Sequence, residues 1–307
     1  MATNTLPDFN SADEVNQSLT ALSSGFSRWA PLEGETETAV PGLRLCRYSA
    51  PSVPSAALYG AHLSIVVQGR KRVVLAEEVF EYGASHFLIS SLGLPVVTKV
   101  QEATPQQPFL SLLVDIDLAT VRQIIIDMDV PRVATRVPAR AIGVGPVTYD
   151  LLDAVFRLAR LIDQPKDIAI LAEQIRKEVF YRLILSEQGR RLCQIAFAET
   201  QGFQIGRVVS LLKEKFREPV SVEQLVSVAG MAVSTFHHHF REITGFSPLQ
   251  YQKHLRLHEA RRLMLGERFD AGTAALAVGY ESQSQFTREY RRMFGKSPKQ
   301  DVKLLRD

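Results

Sequence analysis

The sequence predicts an α+β chain, in which a small β-barrel with a helical hairpin precedes an all-helical domain carrying two helix-turn-helix motifs. Three observations predict it. Short apolar or alternating runs recur at roughly ten-residue spacing between Gly42 and Val114. Two helical periods follow a stretch rich in proline, glycine and arginine. The tail then repeats itself with a period of fifty residues.

Residues 1–30 open on MATNTLPDFNSADEVNQ, which has neither a basic nor an apolar signal region and reads as a loosely ordered polar arm. Over 31–130 the runs GLRLCRYS, AHLSIVVQ, KRVVLAE, VFEYG, SHFLISS, PVVTKV and PFLSLLVDI fit short strands of a sandwich or small barrel. Within them VVQGRKRVVL, with Gly69 at its turn, predicts a β-hairpin. Asp117 suits the N-cap of the short helix that follows, because its carboxylate can take up free amides there. Residues 131–200 begin as a linker, PRVATRVPARAIGVGP. They continue as two amphipathic helices, 147–162 and 167–185, broken at Asp163-Gln-Pro-Lys and therefore folded back on each other. Their apolar stripes could pack on the strands or join two copies of the chain.

Residues 201–307 hold the repeat. Ser234, Phe236, Phe240, Arg241, Gly245, Ser247-Pro248 and Gln250 align without a gap on Ser284, Phe286, Tyr290, Arg291, Gly295, Ser297-Pro298 and Gln300. In each copy a short apolar helix runs into a glycine-bearing turn, then a second helix, over about 221–245 and 271–295. At about 100° per residue, Phe236, Phe240 and Ile243 share one face of the later helix. Ser234, His237, His238 and Arg241 share the other. The second copy buries Phe286, Tyr290 and Met293 and presents Ser284, Thr287, Arg288 and Arg291. None of the outward residues is acidic, and all can bond base edges or phosphates, so the second helix of each unit suits a DNA major groove.

Charge points the same way. Net charge is +6 over 203–307 but −3 over 1–202, and five of the seven histidines lie in the tail. Such asymmetry suits a polyanionic partner. Between the copies, residues 248–265 read as one helix about 27 Å long, against about 34 Å for a turn of B-DNA. It could seat both reading helices in successive grooves, with Arg256, Arg261, Arg262 and, beyond the second copy, Lys296 as phosphate contacts.

The tail closely resembles the DNA-binding domain of AraC/XylS-type transcription regulators. Ala277-Val-Gly279-Tyr280 and Phe294-Gly295-Lys-Ser-Pro298 carry most of the likeness. Where that family usually has a basic residue before Arg241, this chain has His237 and His238. The segments VPGLRLCRYSAPSVPSAALYG, VVQGRKRVVLAEEVFEYG and LPVVTKVQEATPQQPFLSLLVDID resemble the N-terminal domain of one subgroup. The resemblance implies a cupin-like barrel that senses a small-molecule effector, helices able to form a homodimer, double-stranded promoter DNA and RNA polymerase as partners, and an activator's role. Polar candidates for the effector pocket are Tyr48, Tyr59, His62, Gln68 and His86.

The rival reading is a cupin metal-dependent enzyme fused to a DNA-binding tail. Such a site needs two or three histidines and a carboxylate converging in the barrel. The strands offer only His62 and His86, without an H-x-H, and no phosphate loop or nucleophile elbow occurs elsewhere. No catalytic residue, metal or cofactor is therefore expected. His254 and His258 stand at chelating i, i+4 spacing but lack a third ligand in sequence. Three consecutive helical histidines, His237 to His239, diverge too far for all to bind one ion. No run is long and apolar enough to span a membrane. Cys46 and Cys193 form no disulfide framework and read as small buried hydrophobes, which suits a reducing cytoplasm.

Overall fold

The computed structural model describes residues 11–128, 139–196 and 200–306. The chain is α+β, with two β-sheets and their helices followed by an all-helical domain.

Helix α1 (Ser11–Trp29) corrects the expected loose arm. Val15, Leu19, Leu22, Phe26 and Trp29 recur at three- and four-residue steps and are all buried. Trp29 Nε1 also donates to Asp163 at 2.9 Å. That apolar stripe was diluted in sequence by the polar residues around it. Residues 1–10 lie outside the described residues.

The strands β1 (Gly34–Glu37), β2 (Leu43–Tyr48), β4 (His62–Gln68), β7 (His86–Ser90), β9 (Phe109–Asp115) and β10 (Ile142–Pro146) form one sheet in the order β1-β2-β9-β4-β7-β10. The second sheet orders β3 (Ser55–Tyr59), β8 (Leu94–Glu102), β5 (Arg70–Leu75) and β6 (Glu78–Gly83) as β3-β8-β5-β6. All paired neighbours are antiparallel.

Gly69 does not turn a hairpin. β4 pairs with β7 and β9, whereas β5 pairs with β6 and β8, so the chain passes at Gly69 from one sheet to the other. Register shifts at Val66/Gln68 and Arg70/Lys71 bend it there. Gly69 has φ +83°, and a Cβ would stand 2.4 Å from the Glu102 carbonyl oxygen. The glycine is needed for a corner, which a two-strand reading of the sequence cannot distinguish from a hairpin.

The linker expectation also needs correction where the structure describes it. Residues 142–146 form β10, an edge strand on β7. Its glycines admit helix α5 (Gly189–Ala196): a Cβ on Gly143 would lie 2.5 Å from Gln188 and 2.4 Å from Arg191. Gln188 Nε2 instead donates to the Val144 carbonyl at 2.9 Å.

Asp117 caps α2 (Leu118–Asp127), accepting from the amides of Ala119 and Thr120. Helices α3 (Tyr149–Arg160) and α4 (Pro165–Leu185) pack together, and α1 and α3 are in contact. On α4 the buried set is Ala172, Val179, Phe180, Leu183 and Ile184, while Ile170, Leu171, Tyr181 and Leu185 face outward. The first sheet therefore has two enclosed faces. Leu45, Leu63, Ile65, Phe87, Ile89 and Leu112 meet the helices. Cys46, Val66, Leu88, Phe109 and Leu113 meet the second sheet.

The helical domain comprises α6 (Gln201–Lys215), α7 (Val222–Ala229), α8 (Val233–Thr244), α9 (Pro248–Gly266), α10 (Ala271–Ala277), α11 (Gln283–Phe294) and α12 (Pro298–Arg306). No helix among the described residues is long and apolar enough to cross a membrane.

Candidate nucleic-acid interface and barrel chamber

Each helix-turn-helix unit is built by local signals. Ser221 and Gln224 form a capping box on α7, and Gly230 ends it at φ +63°. Asp270 caps α10. Gly279, at φ +84°, lies so close to Arg217 that a Cβ would stand 2.0 Å from its carbonyl oxygen. A side chain there would force the first helix of the second unit off α6.

Phe236, Phe240 and Ile243 of α8 are buried, as are Phe286 and Tyr290 of α11, while Met293 is half-buried. Ser234, His237, His238 and Arg241 are exposed together, and so are Ser284, Arg288 and Arg291 beside a half-exposed Thr287. The α11 face lines a concavity of about 830 Å³ with Gln283, Ser284, Thr287, Arg288, Arg291 and Arg292. Gln283 and Arg292 were missed in sequence. Gln283 flanks Ser284 at the start of the helix, a position from which base edges are commonly reached.

The histidine triplet is less divided than consecutive helical positions suggest. His238 Nε2 and His239 Nδ1 each lie 3.2 Å from Glu242 Oε2. Among the described residues His238, His239 and Glu242 are the group of three whose ligating atoms converge, within 4.8 Å. His239 is buried, whereas His237 stands free of this group. His254 and His258 are not a metal pair with a third ligand. Their rings lie against Phe246 and Phe294, and burial pushes their pKa values down to about 4 and about 3.

The four connector and tail cations divide. Arg256 donates to the carbonyls of Phe216, Arg217, Glu218 and Gly279, tying α6 to the second turn. Arg261 is paired with buried Asp301 at 2.8 Å and stacks over Phe294. Neither is a free phosphate contact, because each guanidinium is already saturated inside the domain. Arg262 is exposed and paired with Glu259 and Glu267. Lys296 is exposed, with no ion pair among the described residues.

The five barrel candidates fall into two places. Tyr48, Tyr59 and His62 belong to the space between the sheets, where Tyr59 and His62 meet edge to face at 4.7 Å. Burial lowers the His62 pKa to about 4 and raises that of Tyr59. Gln68 and His86 line a cleft of about 530 Å³ at the barrel mouth, together with Tyr82, Glu81 and Glu102. Gln68 donates to the Pro108 carbonyl at 2.7 Å. Sequence reading missed Lys71, Ser64, Tyr82 and Ser111, all buried. The signal for Lys71 was present: it shares strand parity with buried Val73 and Leu75. Cys46 is also buried here, and its thiol pKa is pushed up to about 11 by desolvation. It is a poor nucleophile in this setting.

Two family profiles match this architecture. Residues 39–191 match the AraC-type transcriptional regulator N-terminus, and residues 225–303 match a helix-turn-helix domain. The chain belongs to the AraC family of transcriptional regulators. It is 25% identical over 167 residues to the virulence regulon transcriptional activator VirF of Yersinia enterocolitica, covering 54% of this chain and 60% of that protein. It is 25% identical over 161 residues to the HTH-type transcriptional activator RhaS of Salmonella schwarzengrund, covering 52% of this chain and 57% of that one. The chain thus spans little more than half the length of these curated relatives. ToxT from Vibrio cholerae, solved with an unsaturated fatty acid bound, shares the fold at a TM-score of 0.54 and 10% identity, covering 87% of this chain and 96% of ToxT.

Proposed function

We propose that this AraC-family chain is a sequence-specific activator that reads promoter DNA with α8 and α11 and is tuned by a small molecule held in its barrel. One observation carries the reading. Two helices related by the repeat present exposed polar and basic faces, and one uninterrupted helix, α9, joins their units. On this reading Ser234, His237, His238 and Arg241 meet one groove, and Ser284, Thr287, Arg288 and Arg291 meet the next. Lys296 and Arg262 are left for phosphates. The effector role is supported by the buried polar residues His62, Ser64 and Ser111 in the barrel and by the fatty acid bound to ToxT, a protein of the same fold. The apolar outer face of α4, with Ile170, Leu171, Tyr181 and Leu185, suits a homodimer. RNA polymerase and a cytoplasmic setting belong to the same proposal.

The metal-enzyme alternative is disfavoured by register. His62 pairs with Ser90 on β7, and His86 lies four residues along that strand, about 13 Å away at about 3.3 Å per residue. The two histidines do not share a site.

The test is a gel-shift titration at fixed salt on promoter fragments recovered by mapping the protein's chromosomal sites. Arg288→Ala and Arg291→Ala each weaken binding by about 1–3 kcal/mol where a bidentate base contact is lost. Unchanged affinity in both would remove α11 from the interface.

A further inference from the structure

We propose that the last two turns of α8 form a site for one divalent transition-metal ion of the zinc class, held by His238 Nε2, His239 Nδ1 and the Glu242 carboxylate. The site stands on geometry alone. Its consequence for DNA rests on reading α8 as a groove-facing helix.

Two imidazoles meet at a single carboxylate oxygen. His238 Nε2 and His239 Nδ1 each lie 3.2 Å from Glu242 Oε2, and the three ligating atoms fall within 4.8 Å of one another. Consecutive helical residues diverge, but Glu242 is i+4 from His238 and i+3 from His239, the two spacings at which helical side chains are neighbours. Charge-assisted hydrogen bonds between such groups close to about 2.7–2.9 Å. A tetrahedral ion bound at about 2.0–2.1 Å instead spaces its ligands about 3.3–3.4 Å apart. The observed spacing is nearer the second figure. His237 is left out, because its ring lies against Phe236.

Two imidazoles and one carboxylate suit zinc, and by the same chemistry cobalt, nickel or copper. Calcium and magnesium, which take more oxygen ligands, are not matched. Three protein ligands leave a tetrahedral ion one open position.

The ligands are also held ready. The His239 side chain is 11% exposed and that of Glu242 32%, so packing confines both before an ion arrives. Arg140 donates to the Glu242 backbone carbonyl at 2.6 Å and is itself paired with Glu78 of β6, which fixes this turn against the barrel. Among the described residues the Glu242 carboxylate has no lysine or arginine partner that an ion must displace. The cluster lies towards the C-terminal end of α8, where the helix dipole favours a cation. His238, with its side chain 64% exposed, leaves the ion a way in from solvent.

Occupancy changes what α8 offers DNA. Nε2 of His238 is the atom that would reach a base edge or a phosphate, and Glu242 follows one turn later on nearly the same face. Without the ion that flank carries a carboxylate, which repels phosphates. With it, and with both rings neutral, the cluster passes from one negative to one positive formal charge. The open position can then take a phosphate oxygen, so the ion strengthens binding.

The untagged full chain, stripped with a chelator, is titrated with cobalt(II) chloride and with zinc sulfate. Four-coordinate cobalt(II) absorbs strongly in the visible, and zinc is read by calorimetry and by displacement of cobalt. One ion per chain, strong visible bands and a raised melting temperature are expected. Glu242→Gln and His238→Gln are each expected to weaken binding at least about tenfold, whereas His237→Gln leaves it unchanged. His238→Gln, at an exposed ring, keeps the test decisive should Glu242→Gln lose stability. Equal weakening in His237→Gln, or unchanged binding in Glu242→Gln, marks an adventitious histidine-rich surface and overturns the site. So does failure to bind one equivalent at micromolar metal. Promoter-fragment titration at fixed salt then reads the link: zinc is expected to tighten binding several-fold in the parent chain and not in Glu242→Gln. A chain that binds the ion with unchanged DNA affinity keeps the site and loses the link. A chain that binds promoter DNA but no ion loses the site and keeps the regulator reading, and one that binds the ion but no DNA does the reverse.

Discussion

Phe236 and Phe286 occupy matching positions of the repeat and are both fully enclosed, but by different parts of the molecule. Phe236 belongs with Phe240, Ile243 and Tyr251 to a core that continues into Val73, Leu94 and Val96 of the barrel. Phe286 sits in a separate core whose buried members Leu257, Leu263, Met264, Ala274, Val278 and Tyr290 come from the second unit and α9, with Phe216 and Val302 packed against it. Polar contacts follow the same division. Arg140 donates to the carbonyls of Arg241 and Glu242 at 2.6 Å each and pairs with Glu78. Ala141 N reaches the Ile243 carbonyl, and Tyr251 Oη donates to the Gly93 carbonyl at 2.6 Å. Helix α8 is thus fastened to the barrel and α11 largely to its own unit. Equal sequence at a repeat does not mean equal mechanical setting.

The largest expected effects come from cutting the two cores. Phe236→Ala and Phe286→Ala should each cost about 3–5 kcal/mol. Calorimetry should show Phe286→Ala splitting off an early transition for the second unit alone, while Phe236→Ala lowers the transition of the barrel as well. Hydrogen exchange around Val73 and Leu94 that loosens equally in both variants would erase the distinction.

Next in size is Arg256, which ties α6 to the second turn. Arg256→Met should cost about 1.5–3 kcal/mol in urea unfolding, as charged hydrogen bonds typically do, while exposed Arg262→Met leaves stability unchanged. The salt dependence of DNA binding should stay the same in Arg256→Met and fall by about one contact in Lys296→Met. A reduced salt slope in Arg256→Met would return that residue to the phosphate backbone.

Acid should then weaken the seam and the second unit. His254 and His258 ionise at about 4 and about 3 when folded, below the ordinary value of 6.5, because burial excludes the charged ring. Lys253, Arg292 and Arg261 nearby push in the same direction. Between those values the unfolded chain binds more protons, so stability is full above about pH 6.5 and is lost as pH falls towards about 4, at no more than about 1.4 kcal/mol per pH unit for each ring. His258→Leu should flatten that slope. An unaltered slope would mean that the ring is not neutral and enclosed in solution.

The smallest effect is expected of Arg140→Met, whose bonds to the α8 carbonyls lie partly in water. Amide exchange should quicken in the last turn of α8 and not in α11. Equal change in both would mean that Arg140 does not fasten the first copy in particular.

Much of the candidate site was legible because helix geometry is local. Spacing along α8 and α11 separates Phe236 from His237 and Phe286 from Arg288 whatever surrounds them. The barrel was less legible. Strand runs were visible, but the corner at Gly69 looked like a hairpin, and β10 was hidden in a glycine-rich stretch because its glycines serve the approach of α5. Lys71 sat at an inward parity but was not singled out. Its neighbours Tyr59 and His62 arrive from other strands.

The sequence by itself determined the fold class, the fifty-residue repeat, the caps of its helices and the faces those helices show, since each follows from bonds and angles within a few residues. Tertiary structure alone decided which cations are tied up inside the helical domain, where α1 docks, and that α8 is fastened to the barrel. Those outcomes turn on pairings such as Trp29 with Asp163, Arg261 with Asp301 and Arg140 with Arg241, between residues 134, 40 and 101 positions apart. Side chains so distant in sequence meet only when the whole chain has chosen its packing, because that choice settles which groups lose water and which keep it.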